Sequence, residues 1–434
     1  MSTNNQPLET LKIFSLKGVQ MRTFHITWLT FFVCFFAWFG IAPLMPLISD
    51  QLNLTKAEKG NIGIAAVSAT IVARLVIGRL CDSWGPRKTY TLLLLLCSIP
   101  VMLIGLSNSY ISFLIFRLAI GVIGASFVLT QYHTSVMFAP NIKGTANAVA
   151  GGWGNTGGGA TQIMMPLVAA GMVAMGWVSQ EDSWRLAMVV PGVLLLVMAF
   201  LYYRYTADTP AGNIEDLPRD TNVKKENTML LAAKDYRTWI LTIAYAACFG
   251  VEITVDNYAA SFFHDDYKAS LIMAGLLASI FGWLNIFARA LGGILSDKVG
   301  KRFGFGGKVN LLIILLLLEG LGIILFSMAG ALSMAIILMF FFGLCLKMAN
   351  GATYSIVPFV NPKAIGSVAG IVGAGGNIGA MLIGFLFKAY PYGEAFLYLG
   401  SGVFAIGVIV LGFKLIKKEA TAVVAEELPE AIRA

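Results

Sequence analysis

Two arginines that hold the same place in a repeated pattern are the residues most able to do chemistry in this chain. Arg289 follows Arg74 by 215 residues, and each precedes an aspartate of the same motif by eight residues. Both lie in apolar sequence, and an arginine inside a membrane costs at least ~3 kcal/mol and cannot give up its proton. A buried carboxylate could hold either one for structural reasons. Two at equivalent positions favour a buried site for an anion.

The shape of the guanidinium group narrows the choice of anion. Its planar fork of N–H donors binds a planar oxyanion in bidentate fashion, whereas a lysine ammonium acts as a point charge. Two forks from opposite sides could therefore hold one small trigonal anion and would leave no room for a bulky one.

Two glycine-rich runs, each centred on one asparagine, could complete this site. A glycine inside a helix costs about 1 kcal/mol relative to alanine, so the runs need a physical reason. Close packing of helices and close approach of a ligand are both available reasons, and an asparagine amide could donate to an oxyanion. A dinucleotide-binding loop is excluded because no strand precedes the first run and apolar sequence surrounds it. The runs are 151–159, with Gly154 and Asn155 at its centre, and 373–380, with Gly376 and Asn377.

The elements that must position these residues are membrane helices. The chain has 434 residues, of which 57% are hydrophobic and 12% charged, against about 25% charged in soluble domains. Twelve apolar segments come near or exceed the ~20 residues that span a bilayer, and barrel strands would be shorter and alternating. The sequence therefore predicts an all-α membrane protein with twelve transmembrane helices. The segments are 24–48, 60–82, 87–106, 109–138, 145–175, 184–205, 236–263, 270–296, 308–328, 331–358, 364–389 and 394–416.

The longest polar interruption divides the chain into two halves of six helices. We predict an N-terminal half at 1–206, a cytoplasmic linker at 207–234 and a C-terminal half at 235–434. Basic residues concentrate on the side that holds both termini, which the positive-inside rule places in the cytoplasm. The net charge of +8 is thus a signal of topology and not of nucleic-acid binding. No cleavable signal peptide is predicted, and we expect a multi-pass protein of the cytoplasmic membrane.

A loop motif of the first half recurs in the second. It places an aspartate at a helix end near basic residues, where ion pairs can form in one conformation and break in another. The motif resembles the signature of the major facilitator superfamily, which implies a fold of two pseudo-symmetric halves. Its residues are the predicted gate: Asp82 and Arg87 in Gly78-x-x-x-Asp82-x-x-Gly85-x-Arg87, and Asp297 and Arg302 in Gly293-x-x-x-Asp297-x-x-Gly300-x-Arg302.

The arginine pair and the glycine runs together resemble the nitrate/nitrite porter family of that superfamily. The resemblance covers nearly the whole chain, and the run 250–257 is similar to the branch that includes the plant-type high-affinity nitrate transporters. It implies that Arg74 and Arg289 bind nitrate or nitrite. It also implies that three aromatic residues, which would otherwise be assigned to core packing, wall the site: Phe127, Tyr245 and Phe249. The second run has Ala380 at the position equivalent to Gly158 of the first, so the two halves are not expected to bind the anion symmetrically.

Import of an anion must overcome a potential that is negative inside. That costs about 2.3 kcal/mol per charge per 100 mV, so proton symport or exchange for another anion is needed. Glu252 and Asp256, one turn apart on the seventh segment, are candidate proton carriers, and the resemblance to the proton-coupled branch favours them. Asp256 could instead be a solvated group at the outer mouth, and His133 titrates near neutrality but could be a hydrogen-bonded buried histidine. Glu319 and Lys347 have no assigned role and could pair with each other.

The sequence thus predicts a secondary active transporter, functional as a monomer, that imports nitrate and also nitrite by alternating access. Proton symport is preferred, with nitrate/nitrite exchange and a non-translocating nitrate sensor as alternatives. The expected partners are the two anions, protons and membrane lipid. No metal, cofactor or nucleophile constellation is recognisable, so an enzyme is not expected.

Overall fold

The computed structural model describes residues 6–216, 228–361 and 364–412. Within these ranges the chain is almost wholly helical, and its only β-pairing consists of two isolated bridges. A helix satisfies all of its own backbone hydrogen bonds, which a chain surrounded by lipid requires. The hydrophobic sequence therefore folds as a helical bundle, as predicted.

Eleven candidate membrane spans occur in the described residues, and one of them is 57 residues long. That length is nearly three times the ~20 residues that one crossing needs. It breaks at Gly304, whose φ of 68° lies in the left-handed region, so it contains two helices. The described residues thus contain twelve long helices besides the short helix Thr228–Lys234. The long helices are α1 (Val19–Gln51), α2 (Lys56–Trp84), α3 (Pro86–Leu106), α4 (Tyr110–Met137), α5 (Pro140–Ala174), α6 (Ser183–Tyr205), α7 (Tyr236–Asp265), α8 (271–303), α9 (305–327), α10 (Leu332–Ile356), α11 (Ile365–Ala389) and α12 (Tyr392–Gly412).

Each predicted apolar segment coincides with one of these helices, which confirms the predicted fold class. Helices α1, α2 and α5 begin four or five residues before the predicted segments, whereas α4 and α10 lie one or two residues inside theirs. At α5, for example, the helix begins at Pro140, a favoured residue for a first helical turn. The division at 207–234 stays a prediction, and residues 217–227 of that linker lie outside the described part of the chain.

The two sets of six helices meet through two equivalent helix pairs. Helix α5 of the first set packs on α8 of the second, and α2 packs on α11. Glycines make the α5–α8 crossing close: a Cβ on Gly159 would lie 2.9 Å from Cα of Gly282. Small residues at membrane helix crossings allow such contact between backbones. The glycine run of α5 is therefore a packing surface along at least part of its length.

The sets are also joined at the end of the bundle away from the chain termini. Nζ of Lys59 on α2 lies 3.6 Å from Oδ2 of Asp265 on α7. Nη2 of Arg117 on α4 donates to Oδ1 of Asn257 on α7 at 2.9 Å. Beside them, Tyr258 occupies the space that a side chain on Gly63 would need. Polar contacts between the halves thus close this end.

Replacing Gly157 by alanine should destabilise the protein, because its Cβ would overlap the backbone oxygen of Phe32 on α1 and lie 3.0 Å from N of Phe36. Overpacking of this kind costs about 1–3 kcal/mol. Gly171→Ala is the matched control on the same helix, since nothing lies within 4 Å of its Cβ, and alanine should there stabilise α5 by up to about 1 kcal/mol. Thermal unfolding in detergent measures both. Equal midpoints for the two variants would contradict the assigned packing.

Candidate functional site

Arg74 lies on α2 with only 8% of its surface exposed. Its Nη1 donates to the backbone oxygen of Gly373 on α11 at 2.9 Å, and its Nε donates to that of Gly124 on α4 at 3.3 Å. A guanidinium group offers only donors, so the amide of Asn377 must turn its oxygen toward Arg74. In that orientation the oxygen accepts from Nη1 at 2.5 Å and from Nη2 at 3.3 Å. Arg74 therefore links the two halves through carbonyl oxygens and not through a charge.

Arg289 lies on α8 and is 5% exposed. Its Nη2 donates to the hydroxyl of Tyr245 at 2.8 Å, while Nη1 is buried without a hydrogen-bond partner. No ion pair in the described part of the chain includes Arg289 or Arg74. Both guanidinium groups are thus buried and lack a carboxylate in direct contact.

A group of aromatic rings lies between the two arginines. Cζ of Arg74 is 5.3 Å from the ring centre of Phe127, and Cζ of Arg289 is 5.8 Å from that of Phe249. The two phenylalanine rings are 6.3 Å apart, and Tyr245 stacks on Phe249 at 5.0 Å with an angle of 6° between the planes. The structure therefore brings together all three aromatic residues that the family resemblance implied. In this conformation each arginine lies over an aromatic ring.

Tyr354 on α10 belongs to the same group and was missed by the sequence analysis. Its ring meets that of Tyr245 edge-on at 5.0 Å and that of Phe127 at 6.4 Å. Its hydroxyl lies beside Gly373, the residue whose carbonyl binds Arg74. An isolated tyrosine in an apolar helix carries no signal that distinguishes it from the core.

The two glycines predicted to line the site make room for rings. A Cβ on Gly376 would lie 2.5 Å from Cδ1 of Phe249, and a Cβ on Gly154 would lie 2.7 Å from Cγ of Phe31. Phe31 in turn packs on Phe127 at 5.9 Å. Gly376 therefore leaves space for the ring that lies against Arg289, and Gly154 leaves space for a ring that packs on Phe127. Helix packing is thus observed at both glycines, and their predicted role in the site stays a prediction.

Glu252 on α7 is the centre of a buried polar cluster next to the rings. Oε1 accepts from Nδ2 of Asn155 at 3.2 Å and of Asn285 at 2.9 Å, and Oε2 accepts from Nδ2 of Asn350 at 2.6 Å. Nζ of Lys347 on α10 lies 2.6 Å from Oε1, and neither side chain of this pair is exposed. Three amide donors and a neighbouring ammonium identify Glu252 as an ionised carboxylate, since these groups all require an acceptor or a negative charge.

This cluster changes two expectations. Lys347 pairs with Glu252 and not with Glu319, because α10 turns the ammonium toward α7. The amide of Asn155, expected to donate to an anion, donates to the carboxylate of Glu252. The asparagines of the two runs therefore have different partners. Asn155 donates to the carboxylate of Glu252, and Asn377 accepts from Arg74.

The other predicted carboxylate of α7, Asp256, is 4% exposed, and its Oδ2 has no hydrogen-bond partner. It lies against the first glycine run, with Oδ2 3.4 Å from a Cβ on Gly158. Asp256 is therefore buried. The alternative that it is a solvated group at the outer mouth does not describe this conformation.

His133 on α4 is fully buried and hydrogen-bonded at both ring nitrogens. Nε2 lies 2.7 Å from the backbone oxygen of Ala207, and Nδ1 lies 2.5 Å from the hydroxyl of Tyr202. A carbonyl oxygen can only accept, so Nε2 carries a hydrogen and Nδ1 can accept from the tyrosine. This arrangement is that of a hydrogen-bonded buried histidine, which the sequence analysis gave as one alternative.

The repeated loop contacts the linker in the first half and the following helix in the second. Arg87 donates to Oε1 of Glu215 at 3.2 Å, and Lys88 pairs with the other oxygen of this carboxyl. The Lys88 ammonium holds the pKa of the Glu215 carboxyl below its usual range. In the second half, Nζ of Lys308 lies 2.5 Å from Oδ1 of Asp297.

The two remaining predicted gate residues make no ion pair that can be assigned. Arg302 stacks on the ring of its neighbour Phe303 at 5.4 Å. The side chain of Asp82 lies outside the part of the chain that the structure describes. The predicted gating role of all four residues stays a prediction.

Twelve membrane helices in two sets, with a cationic site buried where the sets meet, define a membrane transporter of the major facilitator type. Residues 27–383 match the family model of the Major Facilitator Superfamily. The fold is similar to that of a bacterial homologue of the human lysosomal transporter Spinster in an inward-facing, unoccupied conformation. The TM-score is 0.68 with 17% identity over 91% of this chain and 95% of that one. The nucleoside transporter NupG gives a TM-score of 0.65 with 13% identity over 92% and 100% of the two chains.

Sequence relatives place the chain more narrowly. It is 38% identical to high affinity nitrate transporter 2.5 of Arabidopsis thaliana, over 94% of this chain and 80% of that protein. It is 38% identical to nitrate transporter 2.1 of Chlamydomonas reinhardtii over 91% and 73%, and 28% identical to the nitrate/nitrite transporter NrtP of a Picosynechococcus species over 85% of each. The chain belongs to the nitrate/nitrite porter family of the major facilitator superfamily. The predicted family and its plant-type branch are thereby confirmed, as is the expectation of a transporter and not an enzyme.

Proposed function

We propose that this protein imports nitrate, with nitrite as a second substrate, across the cytoplasmic membrane by alternating access, with both termini in the cytoplasm. The observation that carries the proposal is the pair of buried guanidinium groups without a contacting carboxylate in the described residues. Uncompensated charge inside a membrane is costly, and a bound anion reduces that cost. The named relatives transport nitrate, and in one case nitrite as well, which supports these anions as the substrates.

The shape of the site suits a flat anion. Nitrate is planar, with its charge spread over three oxygens, and both the guanidinium fork and the aromatic rings present planar surfaces. Arg289 can offer its unpartnered Nη1 without breaking a hydrogen bond. Arg74 must exchange a carbonyl partner for the anion. We therefore assign the first contact to Arg289 and the closing contact to Arg74.

The position of Glu252 supports proton symport. This carboxylate lies within electrostatic reach of Arg289. An anion on Arg289 brings a second negative charge toward Glu252 and so favours its protonation. Coupling between two sites is reciprocal, so a proton on Glu252 must also strengthen anion binding. A symporter requires the anion and the proton to bind together in this way.

Alternating access requires the contacts between the halves to break at one end and form at the other. The pairs Lys59–Asp265 and Arg117–Asn257 hold the end away from the termini together. They are the contacts that must open when the site faces that side. The sequence analysis assigned no role to Arg117, because no arginine occupies the equivalent position 215 residues later.

Labelled-nitrate uptake into proteoliposomes at zero membrane potential tests the function. An inward proton gradient of about one pH unit should drive up to about tenfold accumulation per coupled proton. Uptake that requires internal nitrite and ignores the pH gradient would favour exchange. Binding of nitrate without any accumulation would favour a sensor and contradict the proposal.

A further inference from the structure

Glu319 on α9 is a buried acid that the mechanism above does not use. Its side chain has no exposed surface, and neither carboxyl oxygen has a hydrogen-bond partner in the described part of the chain. It lies at the level where Gly320 meets α12, since a Cβ on Gly320 would be 2.5 Å from N of Phe404. The side chain is thus enclosed by helices and cut off from water.

Burial without partners fixes the charge of this group. An ionised carboxylate in such surroundings costs several kcal/mol, so a buried acid without a counter-charge in contact takes up a proton instead. The contrast with Glu252 is direct, because that carboxylate receives three amides and an ammonium. Glu252 and Glu319 are therefore in opposite protonation states.

The charges that reach Glu319 come from two helices. Lys347 of α10 and Glu252 of α7 both act on it, and the thiols of Cys345 and Cys248 on the same helices are also within electrostatic reach. Helix α12 contacts α9 at Phe404. The ionisable residue of α12 nearest to Phe404 in the sequence is Tyr398, about 9 Å away along the helix at 1.5 Å per residue. Lys347 is thus the cation available to both acids.

We propose that Glu252 and Glu319 form one proton site with two carboxyl groups that share the ammonium of Lys347. This proposal rests on the proton symport proposed above. In the conformation observed, Lys347 pairs with Glu252 and Glu319 carries the proton. When an anion binds at Arg289, Lys347 gives an N–H proton to Glu252 and takes the O–H proton of Glu319. The ammonium is restored, it pairs with the ionised Glu319, and the charge of the cluster does not change.

This proton transfer couples anion binding at Arg289 to the release of a proton from Glu319, which does not contact the anion. Once ionised, Glu319 can accept a new proton when the site faces the side of higher proton concentration. The flexible stem of a lysine and its three donors suit a group that changes partners in this way. A carboxyl at position 319 is then needed for proton coupling but not for anion binding.

The test compares Glu319→Gln with the wild type in two assays. Glutamine has the shape of a protonated glutamate and cannot release a proton. With an inward gradient of about one pH unit, the wild type should accumulate nitrate up to about tenfold per coupled proton, and the variant should not accumulate it. Exchange of labelled for unlabelled nitrate, which needs no net proton movement, should stay within about twofold of the wild type, a difference of about 0.4 kcal/mol. Glu394→Gln, at an exposed glutamate on α12, is the matched control and should change neither assay.

Three outcomes overturn the proposal. Accumulation by Glu319→Gln with the pH profile of the wild type would show that position 319 needs no titratable group. Loss of exchange together with accumulation, in a variant that keeps the thermal stability of the wild type, would show that Glu319 serves translocation itself. Failure of the wild-type protein to exchange nitrate at all would instead contradict the proposed function, on which the proton site depends.

Discussion

Replacing either buried arginine by lysine should abolish nitrate uptake, although the positive charge is kept. A lysine ammonium is a point charge and cannot make the two parallel N–H contacts of a guanidinium fork with a planar oxyanion. Loss of one charge-assisted hydrogen bond costs about 1.5–3 kcal/mol, which corresponds to roughly 10- to 150-fold weaker binding. Arg289→Lys also removes the donor to Tyr245, which is made at 2.8 Å.

The two variants should differ in a way that separates binding from closure. Arg289 has a buried Nη1 without a partner, so its replacement should act mainly on the affinity for the anion. Arg74 also bonds Gly373 across the boundary between the halves, so its replacement should weaken both anion binding and the contact between α2 and α11. Nitrate binding by calorimetry in detergent, and uptake by proteoliposomes, measure the two effects separately.

Arg204→Lys provides the control for these variants, because Arg204 is exposed at the end of α6 and lies over the ring of Tyr205 at 5.6 Å. Its uptake should equal that of the wild type. Near-normal nitrate uptake by Arg74→Lys or Arg289→Lys would contradict bidentate binding and leave simple charge attraction as the explanation.

The arginines, the glycine runs and the twelve helices could be predicted because membrane insertion makes each of them conspicuous. A charge in apolar sequence is costly, a glycine in a helix is costly, and a hydrophobic stretch of about 20 residues has few alternatives to a membrane helix. Repetition after 215 residues then indicated that Arg74 and Arg289 occupy equivalent places. No further information on packing was needed for these predictions.

The partners within the site could not be predicted, because they depend on how each helix is rotated about its own axis. Lys347 and Asn350 are three residues apart and therefore share one face of α10, but the sequence does not say whether that face meets α7 or α9. The structure directs both to Glu252, at 2.6 Å each. Asn285 also donates to Glu252, from a short 3₁₀ turn in α8. No local sequence pattern predicted this turn.

Replacing Glu252 by glutamine should abolish proton-driven accumulation, but it should also destabilise the protein. The substitution leaves Lys347 buried without its counter-charge, and breaking a buried ion pair in this way costs about 3–5 kcal/mol. Loss of transport by this variant alone would therefore not separate a coupling role from a structural one. The single variant Lys347→Met should be similarly unstable, because it leaves Glu252 ionised with amides as its remaining partners.

The double variant Glu252→Gln with Lys347→Met separates the two roles, because it removes both charges together. Replacing a buried pair by neutral groups is often neutral for stability, so the double variant should recover most of the thermal stability that each single variant loses. If Glu252 carries the proton, the recovered protein should still exchange nitrate through Arg74 and Arg289 but should not accumulate it under a pH gradient. Recovery of stability and of pH-driven accumulation together would mean that the pair only holds α7 against α10. The proton would then have to travel on another buried acid. Glu319 and Asp256, whose carboxyl groups have unpartnered oxygens in the described residues, are the two candidates.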